Sequence, residues 1–528
     1  MSASREKKLR QELSAQGVPD IKAIRAAEEK QKQRRANWLY GTLAVIFVVG
    51  GLALALWNSQ ILQRSTPAVT VGDETFSAAE VEYYYYTVRN SISNNTYASY
   101  MSLDTSLPLT QQVMTDSDYL FLGVNKAEGV EEQTWHEFIL EQAKHSLVQL
   151  ASLLQGAKDE DFGFTEEMEA DMENTMTTLD LYAAQNGMTT AAYIKAVYGD
   201  TMTMKVMDKV IRENTLAYYY EQSKLDALTY TDDEVEAYYQ ANKDSFDVVD
   251  CDYIYFKGTG TYTTDAEGNS VAPSDEENAA ALEAAKNAAN DALTRYNNGE
   301  TDMEALAKDY SMGNFYADPE ASYYGDTVTE WLFEEGRKDG EVAVLESDSY
   351  YYLVRFNSRS RLDYKTVDVR HILVKINTSG LDSTAPEYQN LLATLKSDAL
   401  AKAEGILNEW KSGAATAESF GELAKTKSDD TSASTNAGLL SQVYKGRLVA
   451  SVEDWCFDAE RKVGDTGIVF EESSNYTGYH VMYFQGFNES YAKILTTATM
   501  TNEDHSAWES SMMEGLEAKE LVGIKYVG

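Results

Sequence analysis

Histidine is scarce in this chain, five in 528 residues, so two that fall inside short apolar runs stand out. His371 lies in Val369-Arg370-His371-Ile372-Leu373-Val374, and His480 lies in Tyr479-His480-Val481-Met482-Tyr483-Phe484. Between them comes an acidic segment, Ser428-Asp429-Asp430. No Cys-x-x-Cys or His-x-x-x-His spacing occurs, so no metal and no cofactor is expected. The two cysteines, Cys251 and Cys456, fall in different predicted domains and read as buried free thiols rather than a bridge. A purely structural use of the histidines, filling a core hydrogen-bond network, is the alternative at this level.

The elements that must position these residues come in two copies. Cys251–Phe256 matches Val369–Val374, Met303–Ser311 matches Phe420–Ser428, and Tyr351–Phe356 matches Tyr479–Phe484. Trp331 and Phe333 align with Trp455 and Phe457. Each copy reads strand, long Ala-rich helix, short helix, loop, short helix, strand, strand, an α+β unit. In the first copy Tyr253 and Tyr352 stand at the histidine positions, and Ser311-Met312-Gly313 replaces the acidic loop. That copy is expected to keep its fold for shape or peptide binding, without the chemistry.

The second copy resembles the parvulin family of peptidyl-prolyl isomerases. Val369–Val374 is similar to the family's opening strand with its His-Ile-Leu, Ser428-Asp429-Asp430 to its Cys/Asp loop, and Gly478-Tyr479-His480 to its closing Gly-x-His strand. An X-Pro bond is a tertiary amide whose rotation is blocked by a barrier of about 18–20 kcal/mol. Its isomerisation needs no nucleophile, only a site that favours the twisted amide over the planar one. The resemblance implies His371 and His480 as a hydrogen-bonded pair behind the site and Asp430 as the polar group facing the amide. It also implies Leu448, Val452, Phe457 and Thr477 as the substrate-binding positions. Family members usually carry an aromatic where Val452 stands, and Gly-Asp-Leu-Gly where this chain has Gly438-Leu439-Leu440-Ser441. Losing the aromatic removes up to about 1.5–3 kcal/mol of apolar grip on a proline ring, so weak activity is expected.

Upstream, Val69–Gln240 has apolar residues at three- and four-residue spacing, as in Phe138-Ile139-Leu140 and Leu153-Leu154, and reads as helical. Ala68–Ser77 alternates around Gly72-Asp73 as a small hairpin, and Thr231–Glu234 has the form of a capping box. Through the order of Val69-Thr70-Val71-Gly72-Asp73, Tyr198–Thr203 and Thr231–Phe246, the segment resembles the N-terminal domain of SurA-type chaperones. The run Tyr83–Tyr86 reads as ordinary half-buried helix positions, with a client-binding surface as the alternative. The amphipathic Asn502–Glu520 and strand-like Ile524–Val527 are expected to return to the helical domain and pair near Val69–Val71.

Trp38–Trp57 is twenty residues without a charge, long enough as a helix to span about 30 Å of hydrocarbon. Lys30, Lys32, Arg34 and Arg35 precede it, which places residues 1–37 in the cytoplasm and the body outside. A cleaved signal peptide is the rival reading, from Ala53-Leu54-Ala55; the long segment before the apolar run weighs against it. Residues 1–37 hold ten Lys/Arg against five Asp/Glu, so the rest hold 35 against 80. So acidic a body disfavours any nucleic-acid partner.

The expected fold is therefore multidomain α+β, with a basic segment 1–37, a transmembrane helix 38–57 and a SurA-like all-α domain 68–245. A degenerate parvulin-like domain 246–360, a parvulin-type domain 365–488 and a tail 489–528 follow, each parvulin unit with a four-stranded antiparallel sheet. The plan resembles membrane-anchored foldases of the PpiD and PrsA type. It implies an extracytoplasmic, single-pass protein that binds unfolded exported polypeptides and isomerises X-Pro bonds, or a scaffold using inactive parvulin folds. Oligomeric state is not legible.

Overall fold

The structure is a computed structural model that describes residues 7–8, 38, 42–51, 60–126, 129–266, 268–379, 381–382, 384–473 and 476–528. Trp38 and residues 42–51 are helical, with Val45, Ile46, Phe47 and Val48 exposed. The rest of the span expected at 38–57, and the basic segment 1–37 apart from Lys7 and Lys8, lie outside the described residues. Among the described residues no helix is long and apolar enough to cross a membrane. The chain divides into two compact units, residues 1–228 with 504–528, and residues 229–503.

In the first unit a hairpin, Pro67–Val71 with Glu74–Ser77, turns at Gly72, whose φ of +54° suits glycine. Helices follow at Ala78–Ser93, Trp135–Asp159, Glu166–Gln185, Thr190–Tyr198 and Met204–Ala227. Each starts just after a Ser or Thr whose hydroxyl is placed to cap the first turn, Ser77, Thr134, Thr165, Thr189 and Thr203. The core joins hairpin to helices through Val69, Phe76, Trp135, Ile139, Leu147 and Tyr220. The tyrosine run mostly builds this core: Tyr84 and Tyr85 are 7% and 2% exposed. The Tyr84 hydroxyl accepts from the Asn214 amide at 2.7 Å, and Tyr85 lies 3.1 Å from His136 Nδ1. Two of the four rings are thus core positions, while Tyr83 and Tyr86 stay half-buried and Tyr83 lines a cleft.

The tail closes the hairpin into a three-stranded sheet. Lys519–Glu520 runs antiparallel to Pro67–Val71, with Glu520 opposite Val69 and Lys519 opposite Thr70. The expectation put this strand at Ile524–Val527, but Val522–Tyr526 is a 3-10 turn. The reason is close approach at Gly523, where a Cβ would stand 2.5 Å from the Pro67 carbonyl oxygen. Glu520 is also held by Lys144 at 3.0 Å.

The second unit opens with helix Asp232–Ala241, capped by the Thr231–Glu234 box. The sequence groups this helix with the domain 68–245. Its packing ties it instead to the sheet that follows: Tyr239 donates to Asp247 at 2.6 Å, and the Arg361 guanidinium lies 3.9 Å from the Tyr239 ring centre while pairing with Glu236. The two copies then form antiparallel sheets of the same strand order. The first is Gly313–Ala321, Asp247–Lys257, Tyr350–Arg361, Val342–Ser347; the second is Leu439–Val443, Lys365–Lys375, Thr477–Ser490, Thr466–Glu472.

Alternation along the strands sorts side chains onto two faces. In the second copy Ile372, Val374, Val481 and Tyr483 meet helices Tyr388–Ser412 and Ala417–Lys427. Val367, Val369, Met482 and Phe484 meet the short helix Ala450–Cys456 on the other face, where Cys456 is a buried free thiol. The copies differ at one edge. Gly313–Ala321 pairs with its neighbour from Val249 to Phe256, whereas Leu439–Val443 pairs only from Val367 to Arg370.

A Gly523→Ala chain is expected to lose about 2–4 kcal/mol in the first unit, because the new methyl meets backbone that cannot yield. Urea unfolding followed by fluorescence should show an earlier transition for that unit and an unchanged one for residues 229–503.

Candidate functional site

The short edge strand leaves the backbone of His371–Lys375 unpaired on one side, and buried backbone groups need partners. The loop from Ser428 to Gly438 supplies them. The Leu373 amide donates to Ser428 Oγ at 3.0 Å, the Lys375 amide to Asp429 Oδ2 at 2.9 Å, and the Leu373 carbonyl accepts from the Asp429 amide at 2.8 Å. At the loop's end the His371 amide donates to the Gly438 carbonyl at 2.9 Å. Ala437 and Gly438 reach that point with φ of +54° and +70°, and a Cβ on Gly438 would stand 2.4 Å from the His371 carbonyl oxygen. With Ser428 and Asp429 occupied as edge partners, Asp430 is free to face elsewhere.

Asp430 ends a row of four polar side chains. Tyr476 Oη lies 2.9 Å from His480 Nε2, His480 Nδ1 lies 3.2 Å from His371 Nδ1, and His371 Nε2 lies 3.0 Å from Asp430 Oδ2. The last approach falls outside hydrogen-bond geometry, so it is a close contact between the carboxylate charge and the ring dipole. The other oxygen, Oδ1, accepts from the Ser432 amide at 3.0 Å and hydroxyl at 2.9 Å. One proton arrangement fits the two hydrogen bonds of the row: Tyr476 donates to His480, and His480 donates from Nδ1 to His371, which leaves the His371 proton on Nε2, the nitrogen beside Asp430.

Burial pushes both imidazoles below their ordinary range, His480 to about 4 with help from His371, and each against the pull of Asp430. Burial would raise Asp430, but the Ser432 hydrogen bonds and His371 hold it below the usual carboxylate range. The row is therefore two neutral imidazoles behind one carboxylate. His371 and His480 are 7% and 5% exposed, while the Asp430 side chain is 26% exposed, so Asp430 is the member that reaches outward.

His371 and His480 share a sheet face with the cluster around Val369, Met482 and Phe484. Leu448 and Phe457 pack at its margin, half-buried. Val452 is 3% exposed and packs beneath with Cys456, which leaves it inside rather than on a wall. Leu440, half-buried and opposite Val369, stands on this face too; so does the phenol of Tyr476 at its far end. Neither was singled out from sequence, although Tyr476 precedes His480 by four residues. Thr477 lies on the closing strand and lines an open cleft of about 780 Å³ with Lys375–Ser379, Asp429, Ser473 and Tyr476. In the first copy Tyr253 and Tyr352 take the histidine positions, ring centres 5.9 Å apart. Among the described residues one group with metal-ligand chemistry exists, Glu221, His505 and Glu509 in the first unit. There His505 Nε2 faces Glu221 at 3.2 Å, and Glu509 already accepts from Gln149.

Residues 351–485, about a quarter of the chain, match the family described as PPIC-type PPIase domain. No curated protein matches the chain. Among solved structures, a PrsA peptidylprolyl isomerase from Bacillus anthracis is 19% identical over 29% of this chain and 58% of its own, with a TM-score of 0.18. The PrsA of Bacillus cereus is 21% identical over 29% and 49%, also at 0.18, so the chain spans about half the length of these two structures. The foldase protein PrsA of Streptococcus pneumoniae is 11% identical over 74% of this chain and 90% of its own, at 0.24. At these TM-scores none of the three superposes on the chain as a whole.

Two outcomes are expected. Imidazole nitrogen shifts in NMR should report His480 as the Nδ1–H tautomer and His371 as the Nε2–H tautomer, and Tyr476→Phe should blur the His480 assignment. An imidazole kept neutral by the fold favours the folded chain above its unfolded pKa near 6.5. As pH falls the unfolded chain takes up protons first, so stability should decline from about pH 6.5 to the folded value of about 4, by up to about 3 kcal/mol for His480. His480→Gln should flatten that decline in urea-unfolding curves recorded across this range.

Proposed function

We propose that this chain is an extracytoplasmic, membrane-anchored foldase that binds unfolded exported polypeptides and isomerises X-Pro bonds in residues 365–488. The observation that carries the catalytic part is the row Tyr476–His480–His371–Asp430, fixed behind the margin where Leu448 and Phe457 pack. A planar amide owes its barrier to a resonance form with negative charge on oxygen. A carboxylate held near that oxygen disfavours the form and lowers C–N double-bond character, and rigid neutral imidazoles keep the carboxylate aimed. No bond is made or broken, so the reaction calls for no nucleophile. The proline ring would rest on Leu440, Leu448 and Phe457, with the segment before it running along the cleft past Thr477.

For the remainder, the sequence of Trp38–Trp57 and its preceding basic residues supports anchoring with the body outside. A cleft of about 540 Å³ in the first unit, lined by Tyr83, Leu179, Ile211 and Tyr218 among others, supports binding of extended segments. The buried Val452 favours a second reading, a non-catalytic chaperone or scaffold, since it offers a proline ring no surface.

The full chain should accelerate cis-to-trans isomerisation of a proline tetrapeptide, and Asp430→Ala should lower kcat/KM by about tenfold or more. A wild-type rate equal to the uncatalysed one would sink the catalytic reading in favour of the scaffold. Protease added to whole cells should remove residues 68–528; complete protection would overturn the orientation.

A further inference from the structure

The same sheet face that carries the histidine pair in the second copy carries a row of tyrosines in the first. Register places Tyr253 opposite Tyr316 on one side and Val354 on the other, and Tyr255 opposite Tyr352, so all four rings leave one face together. Tyr350 extends the row. Ring centres are 5.3 Å apart for Tyr253 and Tyr316, 5.9 Å for Tyr253 and Tyr352, and 6.1 Å for Tyr350 with either Tyr352 or Tyr255. Because the edge strand Gly313–Ala321 pairs along the whole opening strand, no loop equivalent to Ser428–Gly438 is needed there. Tyr253, Tyr255, Tyr350 and Tyr352 are half-buried, and Tyr316 is exposed at 52%.

The row lies in a negative field. Asp318 sits on the same edge strand two residues past Tyr316, opposite Cys251, and so on the same face. Asp326, which caps helix Thr327–Phe333, and Asp348, two residues before Tyr350, both add to the negative field at Tyr352. At the far end Lys257 stands opposite Tyr350. Among the described residues neither Asp318 nor Asp326 has a Lys or Arg partner. Elsewhere in this copy the chain lays its own cations on aromatic faces: Arg337 lies 3.9 Å from the Trp331 ring centre, Arg359 5.0 Å from Phe333 and Arg295 5.8 Å from Tyr310. Among the described residues none does so on the five tyrosines.

We propose that Tyr253, Tyr316 and Tyr352, with Asp318 and Asp326, form a binding site for a lysine or arginine side chain presented by an extended polypeptide segment. Phenol faces attract a cation through the ring quadrupole, and the two carboxylates supply net negative charge beside the rings. The segment's backbone lies across an aromatic surface whose hydroxyls offer hydrogen bonds without demanding a particular sequence. Cation recognition here is independent of isomerisation, since it uses no residue of the row at Asp430.

The test is fluorescence anisotropy of the full chain with a labelled Gly/Ser peptide bearing two central arginines, its lysine version and its citrulline version. The arginine peptide should bind saturably, and the citrulline peptide, equal in shape but neutral, should bind at least about tenfold more weakly. Tyr253→Leu/Tyr316→Leu should weaken arginine-peptide binding about fivefold or more, Asp318→Asn about threefold, and Tyr253→Phe/Tyr316→Phe, which keeps the ring faces, less than about twofold. Attraction to the acidic body at large would instead leave the leucine variant unchanged and fall uniformly with salt, which overturns the proposal. Equal binding of the citrulline peptide overturns it as well. If the leucine pair fails to fold by circular dichroism, Asp318→Asn and the arginine-citrulline comparison decide alone.

Discussion

Everything in the second copy turns on the unpaired edge of one strand. On the side away from Thr477–Ser490, the amides and carbonyls from His371 to Lys375 have no neighbouring strand, and leaving buried backbone groups unsatisfied costs about 1–3 kcal/mol each. Ser428 and Asp429 satisfy them with side chains and backbone, at distances of 2.8 to 3.0 Å. A loop pinned at both ends in this way has little freedom left, and Asp430 inherits its position. The site is thus a by-product of edge repair: the requirement that stabilises the strand also aims the carboxylate.

The first copy shows the other solution to the same constraint. Its edge strand continues as far as Gly313, opposite Phe256, and pairs the backbone conventionally. The acid loop vanishes, and so does any reason to keep imidazoles behind it; tyrosines that pack on one another fill the space. Two copies of one fold therefore differ in chemistry because they differ in how many residues of one strand are paired. Burial holds His371 and His480 below the ordinary imidazole range, and the loop that carries Asp430 sits against His371, so the first copy lacks loop and histidines alike.

Much of this was legible in the sequence because it depends on local pattern. The repeat, the two strand-borne histidines and the capping box at Thr231 each show within a few residues. What was not legible depends on approach between distant segments. Nothing near Tyr476 says that its hydroxyl meets His480 Nε2, since a tyrosine four residues upstream on a turn reads as an ordinary half-buried ring. Val452 reads as a wall position until Cys456 and Phe484 are seen to enclose it. Ile524–Val527 has good strand residues, yet Gly523 against Pro67 forces a turn and moves the pairing to Lys519–Glu520. Helix Asp232–Ala241 looks continuous with the helices before it, and only Asp247 and Arg361 assign it to the sheet that follows.

The three-stranded sheet of the first unit joins Val69–Thr70 to Lys519–Glu520, so that unit is written in two pieces with the whole of 229–503 inserted between them. A ribosome delivers the chain from the N-terminus, so the inserted unit has all its partners while the first still lacks its third strand. Closing that sheet joins residues separated by several hundred positions, a step whose entropic cost grows only with the logarithm of loop length and shrinks further once the insert is compact. The order of completion during synthesis is therefore inside out: the unit that bears the histidine row matures first, and the helical unit is sealed last, when residues 504–528 arrive.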